Sequence, residues 1–158
     1  MSNTNYGALI RSGLVAAVAF VIVEFLLEGA VSLAGFNEAA LLREMYPDLQ
    51  FESVAFQFAN VLQLVVLMIF AMWLYSALTP RFGAGPRCAL VVSFALWFMY
   101  LMFATSFARL GVLPMNIAVA SLLFNLIEIP AAVLAGSNVY DATDKWAEGS
   151  AKSAINSQ

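Results

Sequence analysis

Two stretches of this chain, 53–79 and 88–108, contain no charged residue at all. Each is longer than the roughly 20 mostly apolar residues a helix needs to cross a hydrocarbon core about 30 Å thick. Two further stretches reach that length with acids inside them. Residues 12–34 are interrupted only by Glu24 and Glu28, and residues 110–140 only by Glu128. The pattern predicts an all-α, polytopic membrane protein: an antiparallel bundle of four transmembrane helices near 9–34, 53–79, 87–109 and 115–140. Its first partner is therefore the lipid bilayer.

Composition narrows the chemistry. The chain is 63% hydrophobic and 11% charged, against about half and about a quarter in a soluble domain. Disorder needs the opposite balance. A formal charge of −3 leaves no basic surface for nucleic acid. The absence of histidine and the single cysteine, Cys88, remove His-ligated haem, ordinary zinc sites, Cys–His nucleophiles and disulfide frameworks. No phosphate loop or triad spacing is present, so no cofactor or metal is expected.

The first span has a signal-peptide outline, Arg11 followed by an apolar run. Glu24 and Glu28 stand where a small-residue cleavage site is needed, so it reads as a mature helix. Residues 80–86 (Pro80-Arg81-Phe82-Gly83-Ala84-Gly85-Pro86) read as a tight turn. The spacing Arg-x-Gly-x-x-Pro recurs at 109–114. Glycine ending one helix and proline opening the next accounts for that better than duplication. Arg11, Arg81, Arg87, Lys145 and Lys152 fall on one side, and Arg43 and Arg109 on the other. The positive-inside rule then sets both termini in the cytoplasm. The long outer loop, 36–52, reads as a short interfacial helix. Asn37 would cap it, Phe36 would staple onto Leu41, and Pro47 would end it, with Leu41, Leu42, Met45 and Tyr46 on one face. It serves as a connection or as a lid. Residues 141–158 read as a polar cytoplasmic tail, either a frayed helix or a solvated segment.

The three glutamates within the spans demand explanation. An acid at the bilayer centre costs about 2.5–3.5 kcal/mol on the lenient scales and turns inward or toward water. Counting along each span puts Glu24 about 5 Å outward of the middle, Glu28 a turn beyond it, and Glu128 almost at the midplane. Asn125 lies one turn outward of Glu128. The second span adds Gln57, Asn60 and Gln63, and the third sets Trp97 and Tyr100 near its own midpoint. The expectation is an outward-facing polar pocket of Glu24, Glu28, Gln57, Asn60, Gln63, Asn125 and Glu128, with Tyr100 at its floor beside Trp97. No basic residue shares that depth. The acids are then either neutral hydrogen-bond donors or ionised around a cation. The bland alternatives are that Glu28 reaches the headgroups and that Glu24 and Glu128 are interhelical glue. Pro130 kinks the last span or frees a carbonyl near Leu126 toward the pocket.

The sequences Leu74-Tyr75 with Pro80-Arg81-Phe82-Gly83-x-Gly85-Pro86, and Leu126-Ile127-Glu128-Ile129-Pro130-x-x-x-Leu134-Ala135-Gly136, resemble small bacterial four-helix membrane proteins without an assigned activity. That resemblance implies a bacterial cytoplasmic (inner) membrane. Small multidrug-resistance transporters share four helices and a glutamate in the first, which Glu24 would match. The long outer loop and the extra acids depart from that family, and membership is not inferred.

Three functions compete. The first is a module that binds or passes a proton, cation or small amphipathic solute, for which a homodimer is expected. The second is a non-catalytic accessory subunit of a larger membrane complex. The third is an intramembrane lipid-modifying enzyme with a glutamate general acid.

Overall fold

A computed structural model describes residues 5–33, 35, 38–48 and 53–156, and within them the side chains of all but 38–39 and 144–156. Five helices make up the described chain: α1 (Tyr6–Leu33), α2 (Glu38–Met45), α3 (Val54–Phe82), α4 (Pro86–Arg109) and α5 (Met115–Asn156). Four segments are long and apolar enough to cross a membrane: α1, α3, α4, and Met115–Thr143 of α5. The protein is an integral membrane protein built as a four-helix bundle. The start of α1, the far part of α5 and the α3–α4 turn lie at one end, here the terminal end. Helix α2 and the α4–α5 turn lie at the other, the loop end.

Local chemistry sets the helix limits. Asn5 Oδ1 accepts from the Ala8 backbone N–H at 3.1 Å, so α1 starts three residues earlier than the hydropathy predicts. Ser53, extended at φ −66° and ψ 139°, accepts from the Phe56 N–H at 3.2 Å and caps α3. Ser53→Ala is expected to cost about 0.5–2 kcal/mol, read as a lowered unfolding midpoint in detergent. At its other end α3 continues through Pro80 and Arg81 to Phe82, into the predicted turn. Gly83 stops it, with φ at 80° and its N–H on Thr79 O at 2.9 Å. Only the short segment 83–85 remains as turn, Gly85 having φ 107°, and Pro86 opens α4. Pro80 removes one backbone N–H and crowds the carbonyl four residues earlier, and only Arg81 and Phe82 follow it before the helix ends.

Two further expectations meet the structure. The loop helix forms at 38–45, whereas Phe36 and Asn37, its proposed staple and cap, lie outside the described residues. Leu41, Leu42 and Tyr46 are half-buried and Met45 is exposed. The Tyr46 hydroxyl donates to Val112 O, tying this loop to the α4–α5 turn. At the other end α5 does not stop at 140. It runs on through Asn156 as one helix, with Pro130 inside it.

The helices form a ring in the order α1, α3, α4, α5, with α5 also touching α3 across the centre. The longest interface is between α1 and α5. Packed side chains concentrate at the terminal half: Leu9, Met72, Tyr75, Cys88, Val92, Leu96, Ile129 and Val133 form one cluster. Ala16, Ala17, Met68 and Ala132 form a second. In lipid no hydrophobic gain separates helix from tail, so close backbone approach holds helices together. Two glycines provide it. A Cβ on Gly136 would stand 2.9 Å from Ser12 O and 3.0 Å from Ala16 Cβ. A Cβ on Gly13 would stand 2.8 Å from Ile69 Cα. Helix α1 is thus seated against α5 at one glycine and against α3 at the other.

The loop half is looser. Residues about 11 or 18 apart return to the same helix face at about 3.6 per turn, so Gln57 shares a face with Met68 and Tyr75. Met68 and Tyr75 are fully buried, whereas Gln57 is exposed. On α4 the face of Cys88 and Val92 continues through Met99, Phe103 and Ser106, all exposed. The two helices part toward the loop end. There α4 stays on α5, through buried Ala104, Ile117 and Ala118.

Candidate functional site

Helix α5 carries the site's spine. Ala118, Ser121, Asn125, Glu128 and Ala132 recur at intervals of three and four on one face. Ala132 packs with Ala16 and Ala17, so this face turns toward α1. Glu128 is 3% exposed, and among the described residues it is the one buried acidic side chain. The Asn125 amide donates to Ser121 O of its own helix at 2.8 Å, and the Ser121 hydroxyl donates to Ala118 O at 3.1 Å. On α1, Glu24 is half-buried and Glu28 exposed. Glu24 lies at the edge of the stripe that continues the buried residues Ser12 and Ala16 through Phe20, Val23 and Leu27.

The two glycine contacts define levels across the bundle. Helix rise is about 1.5 Å per residue. Ascending from Gly136–Ser12/Ala16 at that rise brings Asn125 level with Glu24 and Phe25, and Glu128 level with Val21 and Ile22. Ascending from Gly13–Ile69 brings Gln57 level with Phe25, and Asn60 level with Ile22. Polar groups of three helices therefore occupy two adjacent layers: Glu24, Asn125 and Gln57 in one, Glu128 and Asn60 a turn nearer the middle. The members differ in how far they face inward. Gln57, Asn60 and Gln63 are exposed on α3. Among described residues no group of three or more His, Cys, Asp or Glu side chains is arranged to hold a metal ion.

Trp97 and Tyr100 are both half-buried on α4. The Trp97 indole N–H donates to Leu122 O at 3.0 Å, which clamps α4 to α5. That bond explains a tryptophan at mid-span, away from the interfacial belts where it is usual.

A second polar centre, at the terminal end, has no counterpart in the expectations from sequence. The Tyr75 side chain is fully buried. Its hydroxyl donates to the Asp141 carboxylate, with the two oxygens at 2.9 and 3.0 Å, and accepts from the Gly85 N–H at 2.7 Å. The Tyr140 ring meets the Tyr75 ring edge-on at 5.9 Å. Beside them the Cys88 thiol lies 3.6 Å from Tyr75 O, and the Thr79 hydroxyl donates to the same carbonyl at 2.8 Å. One phenol thus joins the α3–α4 turn to the continuation of α5. The 66 residues between Tyr75 and Asp141 leave no local pattern to reveal the pairing. The only hint is a tyrosine near the end of an uncharged span.

No protein family, curated protein or solved structure matches the chain.

Proposed function

We propose that this membrane protein is a small binding module whose loop half takes up a proton, a cation or a small amphipathic cation through Glu128 and Glu24, assisted by Asn125 and Gln57. The observation that carries the reading is Glu128, 3% exposed on the face of α5 that meets α1. A buried acid that deep is costly and marks a site more often than not. Support comes from Glu24, Asn125 and Gln57 lying within a turn of it, and from the parting of α3 and α4, which opens these layers toward the loop end. The terminal half, closed by Tyr75, Met72 and Gly136, forms the floor. The excess of arginine and lysine at the terminal end favours an orientation with both termini in the cytoplasm, in a bacterial inner membrane.

The test uses the full chain in liposomes and tetraphenylphosphonium, a lipophilic cation, as probe. The wild type is expected to bind it saturably, and more tightly at alkaline than at acid pH, because proton and cation compete for the same carboxyls. Hydrogen bonds and contacts to a charged group are worth about 1.5–3 kcal/mol, and about 1.4 kcal/mol is tenfold. Glu128→Gln is therefore expected to weaken binding about tenfold or more and to flatten its pH dependence. Equal binding by wild type and Glu128→Gln at every pH would refute the role of Glu128.

A further inference from the structure

Residues 34–53 join α1 to α3. These helices stand side by side in the ring, and about 2–8 residues suffice between neighbouring helices of a bundle. The described part of the connection shows where the extra chain goes. Tyr46, just past the end of α2, donates its hydroxyl to Val112 O in the α4–α5 turn. That turn belongs to the other two helices of the ring. A chain that leaves α1, touches the α4–α5 turn and returns to α3 crosses the loop end of the bundle. Leu41, Leu42 and Tyr46 along it are half-buried, whereas Arg43 and Glu44 are exposed. One side of α2 is therefore covered and the other turns outward.

The two ends of this crossing differ in character. The α4–α5 turn is closed on itself. Leu110 N–H bonds Ser106 O and Gly111 N–H bonds Ala108 O, both at 3.1 Å, and the N–H groups of Val112 and Leu113 share Phe107 O at 3.0 and 3.3 Å. With its donors satisfied internally, the turn presents the Val112 carbonyl as a fixed post. On the α1 side the chain turns at Gly35, with φ at 87° and nothing within 4 Å of where a Cβ would stand. Hinges are a few residues at the ends of elements that absorb such dihedral changes, and this one is sterically unencumbered. Among the described residues α2 forms no broad interface with another helix, so the bond at Val112 carries the closure. The polar layers lie beneath it: Glu24 stands about 14 Å below Leu33 along α1.

We propose that α2 and Tyr46 form a strap across the loop-end mouth of the bundle, latched by the Tyr46 phenol on the Val112 carbonyl, and that release of this latch about Gly35 admits small solutes to the layers of Glu24, Asn125 and Glu128. What is admitted rests on the proposed binding role of Glu128, whereas the strap itself does not. One neutral hydrogen bond shifts an equilibrium about twofold to tenfold, which suits a latch that opens readily.

The test uses the full chain in liposomes, in a Cys88→Ala background. Ser121→Cys is the reporter, half-buried on the inward stripe of α5 one turn outward of Asn125. A charged, membrane-impermeant methanethiosulfonate reads its access to water. Tyr46→Phe is expected to speed this labelling about twofold to tenfold. Leu110→Cys, exposed in the α4–α5 turn, is expected to label at one rate with either residue at 46. Tryptophan fluorescence unchanged from the wild type verifies the fold of each variant. Bridging Tyr46→Cys/Val112→Cys with a short bis-maleimide is expected to slow uptake and release of tetraphenylphosphonium alike, by about tenfold or more, at an unchanged dissociation constant. Equal labelling of Ser121→Cys with tyrosine or phenylalanine at 46, an equal acceleration at Leu110→Cys, or unaltered probe exchange in the bridged protein would each overturn the strap. A wild type that binds no tetraphenylphosphonium refutes the proposed binding role alone, and the labelling rates still decide the strap.

Discussion

Gly136→Ala and Gly13→Ala are each expected to destabilise the protein by about 1–3 kcal/mol, the range for forcing atoms into a packed interior. The added methyl at 136 meets Met72 Sδ at 2.7 Å and Ser12 O at 2.9 Å. The sulfur can swing aside, but the carbonyl belongs to the backbone of α1. At 13 the methyl meets Ile69 Cγ1 at 2.6 Å and Ile69 Cα at 2.8 Å, so α1 and α3 must separate. Gly29→Ala is the matched comparison. Its Cβ would have nothing within 4 Å, and relief of glycine's conformational freedom favours alanine by about 0.5–1 kcal/mol. Unfolding midpoints in mild detergent should therefore fall for positions 13 and 136 and hold or rise for 29. A common response at all three would show that helix propensity, and not the close approach of α1 to its neighbours, governs stability.

The second large effect is expected at Tyr75. Phenylalanine fills the same space, so Tyr75→Phe removes the hydroxyl while keeping the edge-on ring contact with Tyr140. The Asp141 carboxylate loses its donor and the Gly85 N–H its acceptor. Hydrogen bonds to a charged group contribute about 1.5–3 kcal/mol, and Tyr75→Phe should cost that much. Asp141→Asn keeps an acceptor oxygen and should cost less. The two changes share one interaction, so the double variant should fall short of their sum by about 0.5–3 kcal/mol. A local reading separates this bond from global stability. Trypsin cleavage after Lys145, just beyond Asp141, should quicken in Tyr75→Phe under conditions where the spans stay folded. Cleavage at an unchanged rate, together with additive stabilities, would show that the phenol does not hold the end of α5.

These two predictions fall on residues that hydropathy does not single out. Tyr75 looks like any other residue of an uncharged span, and Gly136 like one of several small residues in the last. By contrast the glutamates announce themselves, since Glu24, Glu28 and Glu128 interrupt runs that are otherwise free of charge. The stripe Ala118, Ser121, Asn125, Glu128 and Ala132 was likewise readable from spacing alone, and it is the face of α5 that turns to α1. The amides of α3 were readable as a group, but their exposure was not. Gln57 belongs on the same face as Met68 and Tyr75, and only the tertiary structure shows that it lies outside the packed core.

Sequence alone determined that the chain crosses a membrane four times, about where each crossing lies, and which polar groups lie within the spans. The reason is additive. Transfer into hydrocarbon is a sum over neighbouring residues, and each segment contributes its own. Turn chemistry at Gly83, Pro86 and Gly111 is local in the same sense. The tertiary structure decided the rest: a core confined to the terminal half, glycine contacts that set the levels of Glu24, Glu128 and Asn125, and the bond from Tyr75 to Asp141. Those depend on which surfaces far apart in the chain fit one another. In lipid that fit rests on shape and hydrogen bonding between helices, which no single segment's hydropathy records.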